Sequence, residues 1–148
     1  MERKPTRTPG VALSFSRRLA LFIGIITPLA EVARRRHQLL DPVFIPSWID
    51  DMLLGGFLLY GAWRVASDPR TGRPVLAAAW GFMCGLAYYS FFGQLQRLAE
   101  PDPSGLAPVW VIAVKGVGLV LGIVGMVTAL QGPEPLPDAT AARDAGRQ

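Results

Sequence analysis

Between Val75 and Gln96 the chain runs 22 residues without a formal charge, and no other feature of it restricts the fold as much. A helix of that length reaches roughly 30 Å, about the thickness of a bilayer's hydrocarbon core. Three more apolar blocks stand beside it: Leu19–Ala33, Ile49–Ala66 and Ala107–Leu130, the last interrupted only by Lys115. Charges lie almost wholly between and outside the blocks. With 51% of residues hydrophobic and 18% charged, the chain is too apolar for an ordinary soluble domain of its length. The pattern predicts an all-α, polytopic membrane protein, a single four-transmembrane-helix bundle over residues 17–131. Its spans fall at about 17–34, 47–66, 75–97 and 107–131, between a polar N-terminal tail (1–16), expected to be disordered over 1–10, and a C-terminal tail (132–148) expected to be disordered.

Local signals set these limits. Ser47 and Asp50 have capping-box spacing, and Pro74 and Pro108 each fit a first helical turn. Asp68–Gly72 and Pro101–Gly105 read as turns, and Pro28 is expected to kink or unwind the first span. The semi-apolar stretch His37–Ile45 is expected to lie along the membrane surface. Four spans put both termini on one side with the 67–74 turn. That side carries ten Lys and Arg against four on the other, so both termini are expected in the cytoplasm, although Arg34, Arg35 and Arg36 pull locally the other way. Trp48 and Trp110 are placed near one interface, Trp63 and Trp80 near the other. Ser16-Arg17-Arg18-Leu19 partly matches an export signal, but Pro28 and Glu31 spoil a cleavage site, and an uncleaved first helix is the better reading.

A net charge of +4 does not call for nucleic acid here, because cytoplasmic loops of membrane proteins are basic and no basic stripe interleaved with aromatics appears. Cys84 and His37 are the only cysteine and histidine. That leaves no disulfide, thiolate metal site or paired-histidine centre to expect, and no cofactor. Cys84 reads as a packing residue. No nucleophile–base pair, phosphate loop or metal motif is evident, so an enzyme is not expected. Only Lys4 and Lys115 of the fifteen basic residues are lysine, an arginine bias associated with GC-rich bacterial genomes.

Two glycine stripes at helical spacing are read as packing faces: Gly118, Gly122 and Gly125 in the fourth block, Gly81 and Gly85 in the third. Lys115 lies on the first stripe, roughly 10 Å inside its helix, where a lysine needs a partner or water. Candidate partners sit at the same end of the bundle. Glu31 shares a stripe with Gly24 and Thr27, Asp50 and Asp51 open the second block with Asp51 on the face of Gly55, and Gln96 and Arg97 close the third. The expectation is a polar layer of these six residues near the outer face, with Lys115 ion-paired to Glu31 or Asp51. Capping by the aspartates, pairing of Glu31 with Arg34 or Arg35, and snorkelling of Lys115 are the structural readings of the same residues.

The stretch from Ile45 to Gly61 (IPSWIDDMLLGGFLLYG) resembles the second helix of DoxX-like four-helix membrane proteins, with a proline lead-in, an acidic position, a Gly-Gly pair and an apolar run ending in Gly. The four-span layout is similar too, while Pro28 and Glu31 depart from the family's plain first helix. The resemblance implies a small bundle in the bacterial inner membrane, an accessory to quinone or redox systems, and carries the acidic position onto Asp51 or Asp50. The sequence reading is therefore a non-catalytic accessory or ligand-binding bundle taking a lipid or quinone-like molecule, alone, as a homo-oligomer or with a membrane partner protein. The alternative is an oligomeric proton-coupled small-molecule transporter.

Overall fold

The computed structural model describes residues 10–34, 45–99 and 105–131, of which 34 and 45–48 are described by their backbone alone. Four helices account for nearly all of them: α1 (Val11–Arg34), α2 (Ile45–Ser67), α3 (Pro69–Gln96) and α4 (Pro108–Leu130). They form an antiparallel ring in chain order. Each helix packs on its sequence neighbours, α4 closes back on α1, and the diagonal pairs barely meet. The α1–α4 seam is the thinnest of the four. The basal end of the bundle carries Gly10, the α2–α3 junction and Leu130, and the opposite end is the distal one.

Three helices are long and apolar enough to cross a membrane, over Val11–Ala33, Pro69–Gln96 and Pro108–Leu130. With 23 residues α2 matches them in length, but Asp50, Asp51 and Arg64 lower its hydropathy. The outward surface is apolar along most of its height. Phe22, Ile25, Ile26 and Leu29 stand exposed on α1, and Val114, Val117, Val120 and Ile123 on α4. In water such a surface would drive association.

Two boundaries differ from the sequence reading. First, α1 starts at Val11, not near residue 17, so 11–16 are helix and not tail. Leu13 and Ser16 are fully buried, and the burial of that added turn and a half outweighs its polar look. Second, Asp68–Gly72 is the first turn of α3 and not a loop. Asp68 is the N-cap, its carboxylate accepting from Arg70 N at 3.0 Å, and Pro69 sits in the first turn where its missing N–H is harmless. A single residue thus joins α2 to α3. The tails 1–9 and 132–148, the stretch 35–44 and the Pro101–Ser104 part of the expected turn lie outside the described residues.

Close approaches explain the tight ring. Gly72 rests on the backbone of Arg64 and Val65, and Gly61 on that of Leu76, which holds α2 against α3. At the α1–α2 crossing a Cβ on Gly55 would lie 2.7 Å from the carbonyl oxygen of Gly24 and would overlap the Pro28 ring. Pro28 lacks the N–H that would normally bond that same carbonyl. The helix is assigned unbroken through Pro28, so its effect is to free Gly24 O toward the neighbouring backbone and not to unwind a turn.

The glycine stripes divide. Gly122 meets Cys84 Sγ and Met83, and Gly125 lies under the Trp80 indole, so both pack α4 on α3 as expected. Gly81 and Gly85 face open space, where a Cβ would have no neighbour within 4 Å; the expectation that they pack the bundle is corrected. Trp80 is also corrected. It is wholly buried, eleven residues into α3, and not an interfacial residue. Its Nε1 donates to Ser16 Oγ at 2.9 Å, and Ser16 Oγ donates to Gly125 O at 2.8 Å. This relay ties three helices together and satisfies two fully buried polar groups that no solvent reaches. Trp63 and Trp110, by contrast, are exposed near opposite ends, in keeping with interfacial belts.

Candidate functional site

Above the relay the ring holds a partly open cavity of about 590 Å³ in its distal half. Every helix contributes to it. From α1 come Thr27 and Glu31, one helical turn apart. The first turns of α2 supply Asp50, Asp51 and Leu54. Met83, Leu86, Ala87, Ser90, Gly93, Gln94 and Arg97 line it from α3, with Tyr89 at its edge, and Lys115 and Gly118 from α4.

Five of the six residues expected in a distal polar layer therefore line one cavity: Glu31, Asp50, Asp51, Arg97 and Lys115. Gly118 joins them, which corrects its assignment to helix packing, since a Cβ there would meet nothing within 4 Å. Gln96 does not belong. It is exposed and off the wall, and its place is taken by Gln94, two residues earlier, whose Oε1 accepts from Lys115 Nζ at 2.9 Å. Sequence reasoning chose the amide at the end of the block. Helical phase selects the other, because Gln94 follows Ala87 and Ser90 along one face while Gln96 is rotated about 200° away from it.

The walls are graded. Glu31, buried to 7% exposure, shares the upper wall with Asp51 and the half-buried Lys115, while Asp50 and Arg97 stand exposed at the rim. Leu54, Met83 and Gly118 form the floor, which lies roughly 15 Å from the start of α4. Three carboxylates thus face two cations over an apolar base, with Thr27, Ser90 and Gln94 as neutral donors and acceptors. A charged mouth above an apolar floor matches an amphipathic molecule, and the volume is in the range of small-ligand sites. Glycines at 93 and 118 keep the wall clear of side chains.

Among the described residues no three His, Cys, Asp or Glu side chains come together as metal ligands. Cys84 packs over Gly122 on the bundle side of α3, and His37 lies outside the described residues.

No family model matches the chain, and no characterised protein or solved structure shows significant similarity to it.

Proposed function

We propose that the chain is a four-span protein of the bacterial inner membrane, with both termini cytoplasmic, that holds an amphipathic small molecule, lipid or quinone-like, in the distal cavity. The observation that carries the reading is the graded cavity itself, to which all four helices contribute and whose charged and amide residues lie on one side of an apolar floor. The placement of α2 supports a fourth span: it packs along both α1 and α3, so a bilayer that holds those two holds α2 as well. Its charged ends would then sit near the two interfaces. The ten-to-four arginine and lysine asymmetry supports the orientation.

In this reading Lys115 has two roles. It offsets Glu31 and Asp51 across the cavity, and it presents one cation, oriented by Gln94, to an anionic or carbonyl group of the ligand. The protein binds and does no chemistry on what it holds. The DoxX-like layout of the second helix belongs to the same proposal, with Asp51 as the acidic wall residue.

The test is native mass spectrometry of the detergent-purified wild type beside Lys115→Met at matched expression. A small molecule or lipid retained by the wild type and lost from Lys115→Met is the expected result. Both proteins flying bare, with equal stability, would remove the cavity as a binding site.

A further inference from the structure

The distal cavity has a mouth, and the exposure of its lining residues locates it. Asp50, Tyr89 and Arg97 are exposed, Tyr89 to 81%, whereas every lining residue of α1 and α4 is buried or half-buried. The mouth therefore lies on the α2–α3 side. Helical phase narrows it further. Phe57 of α2 and Phe82 of α3 meet across that seam with ring centroids 6.3 Å apart. Seven residues, close to two full turns, separate Phe57 from Asp50 and Phe82 from Tyr89. Asp50 and Tyr89 thus flank the same seam, two turns nearer the distal end.

Glycines along the seam report its width independently. Toward the basal end a Cβ on Gly72 would overlap the backbone of Arg64 and Val65, and one on Gly61 would lie 2.9 Å from Leu76 Cα. Gly93, three turns past Phe82 on the same face, would meet nothing within 4 Å. Helices that touch backbone to backbone at one end therefore part above the Phe57–Phe82 pair. The lower edges of the gap are apolar: Leu53, one turn above Phe57, is 58% exposed, and Leu86, one turn above Phe82, lies half-buried on the cavity wall. Asp50 and Arg97 stand at its top. From Phe82 to Arg97 the gap follows roughly 22 Å of α3, enough to face the roughly 15 Å of hydrocarbon in one bilayer leaflet together with its headgroups.

We propose that this gap is a lateral portal and that the occupant of the cavity is a zwitterionic phospholipid of the distal leaflet. Its headgroup lies inside, and its acyl chains stay in the bilayer beyond the Phe57–Phe82 sill. The proposal rests on the reading of the chain as a membrane-spanning bundle that holds an amphipathic ligand. Volume supports it: about 590 Å³ takes a headgroup and its glycerol but not two acyl chains as well, and an opening along the helices leaves the chains outside. Charge selects the headgroup. Glu31, Asp50 and Asp51 against Arg97 and Lys115 give the wall one carboxylate in excess. A zwitterionic head sets its phosphate by Lys115 and Arg97 and its ammonium by the carboxylates, whereas an anionic head adds to the excess. A quinone head brings neither charge.

The experiment places photoreactive benzoylphenylalanine in place of Tyr89 in the full chain, reconstituted in vesicles of phosphatidylethanolamine and phosphatidylglycerol in equal amounts. Lipid adducts are counted by mass spectrometry after illumination. The same residue in place of Tyr88, which is exposed on the outer face of α3, samples bulk lipid. Phosphatidylethanolamine should dominate the adducts at 89. They should fall about tenfold with Lys115→Met, the loss of one charge-assisted hydrogen bond, while those at 88 stay unchanged. Gly93→Leu, which plugs the gap, should also remove them, and Gly85→Leu, on the outer face, should not; this pair keeps the test valid if Lys115→Met does not assemble. Adducts at 89 that ignore Gly93→Leu, or that show the two lipids equally, overturn the portal and its occupant. In that event, native mass spectrometry separates the two readings: a ligand held by the wild type and lost from Lys115→Met leaves the cavity as a site entered another way, and no ligand in either removes both.

Discussion

Gly125→Ala and Gly81→Ala are the same chemical change on two glycines that helical spacing makes look alike, and the packing predicts opposite outcomes. A methyl group on Gly125 would penetrate the Trp80 indole, with Cδ2 and Cζ2 each 2.6 Å away, whereas carbon atoms pack at about 3.5–4.0 Å. The ring must retreat by about 1 Å. It has little freedom to do so, because it is wholly buried and held by its bond to Ser16 Oγ. Overpacking of that kind costs about 1–3 kcal/mol, and straining the relay adds about 0.5–1.5 kcal/mol. The better helix propensity of alanine returns up to about 1 kcal/mol. Gly125→Ala should therefore destabilise by about 0.5–4.5 kcal/mol. At Gly81 nothing opposes the methyl group, so only the propensity gain of up to about 1 kcal/mol remains. Reversible unfolding in mixed micelles by titration with SDS, followed by far-ultraviolet circular dichroism, measures both on one scale, and Trp80 emission, read in a Trp48→Phe/Trp63→Phe/Trp110→Phe background, reports whether the indole has moved. Stabilities of the two variants within about 0.5 kcal/mol of each other would refute the assignment of Gly125 to the core and Gly81 to the open face.

Removal of the relay hydroxyl is a second test. Ser16→Ala deletes two hydrogen bonds and leaves Trp80 Nε1 buried without its acceptor, so a loss of about 1–3 kcal/mol is expected, with a shifted Trp80 emission; Ser16→Thr should recover part of it. For topology, single cysteines at Gly10 and Leu106 in a Cys84→Ser background should react with a membrane-impermeant maleimide from opposite sides of sealed vesicles. Labelling of both from one side would rule out the four-span arrangement.

Much of the fold was legible because long apolar runs leave few options. The charge-free run in α3 and the near charge-free run in α4 could only be helices, and Glu31, Asp51 and Lys115 were placed together by depth alone. What depth cannot supply is azimuth. The stripe Gly118–Gly122–Gly125 was found correctly, yet spacing shows only that residues share a face, not what the face meets. Hence Gly118 borders a cavity while Gly122 and Gly125 pack, and Gly81 and Gly85 pack on nothing within the bundle. The same ambiguity put Gln96 where Gln94 belongs. Gly24 and Gly55 were noticed for the stripes they share with Glu31 and Asp51, but their mutual contact needs the register of α1 on α2, which no local pattern encodes. The early start of α1 was hidden because Ser14 and Ser16, just ahead of Arg17 and Arg18, read as tail. Ser16 is polar because it bonds two other helices, and a polar residue buried for that reason looks, in sequence, like one exposed to water. Asp68-Pro69 misled differently: an N-cap followed by a first-turn proline and a turn are written with the same letters.

The Ser16–Trp80–Gly125 relay also bears on how the bundle is assembled. Three of the four seams join helices that follow one another in the chain, so they can form as each hairpin enters the bilayer. The α1–α4 seam joins the first helix made to the last, and Gly125 is 109 residues from Ser16. During synthesis Ser16 can meet Trp80 once α3 is in place, but the carbonyl that accepts its hydroxyl proton arrives only with the final helix. A chain that lacks α4 can form the indole–hydroxyl pair but leaves that hydroxyl without its carbonyl acceptor. The relay is therefore complete only when the first and last helices meet, which makes its hydroxyl–carbonyl bond the signature of a closed ring.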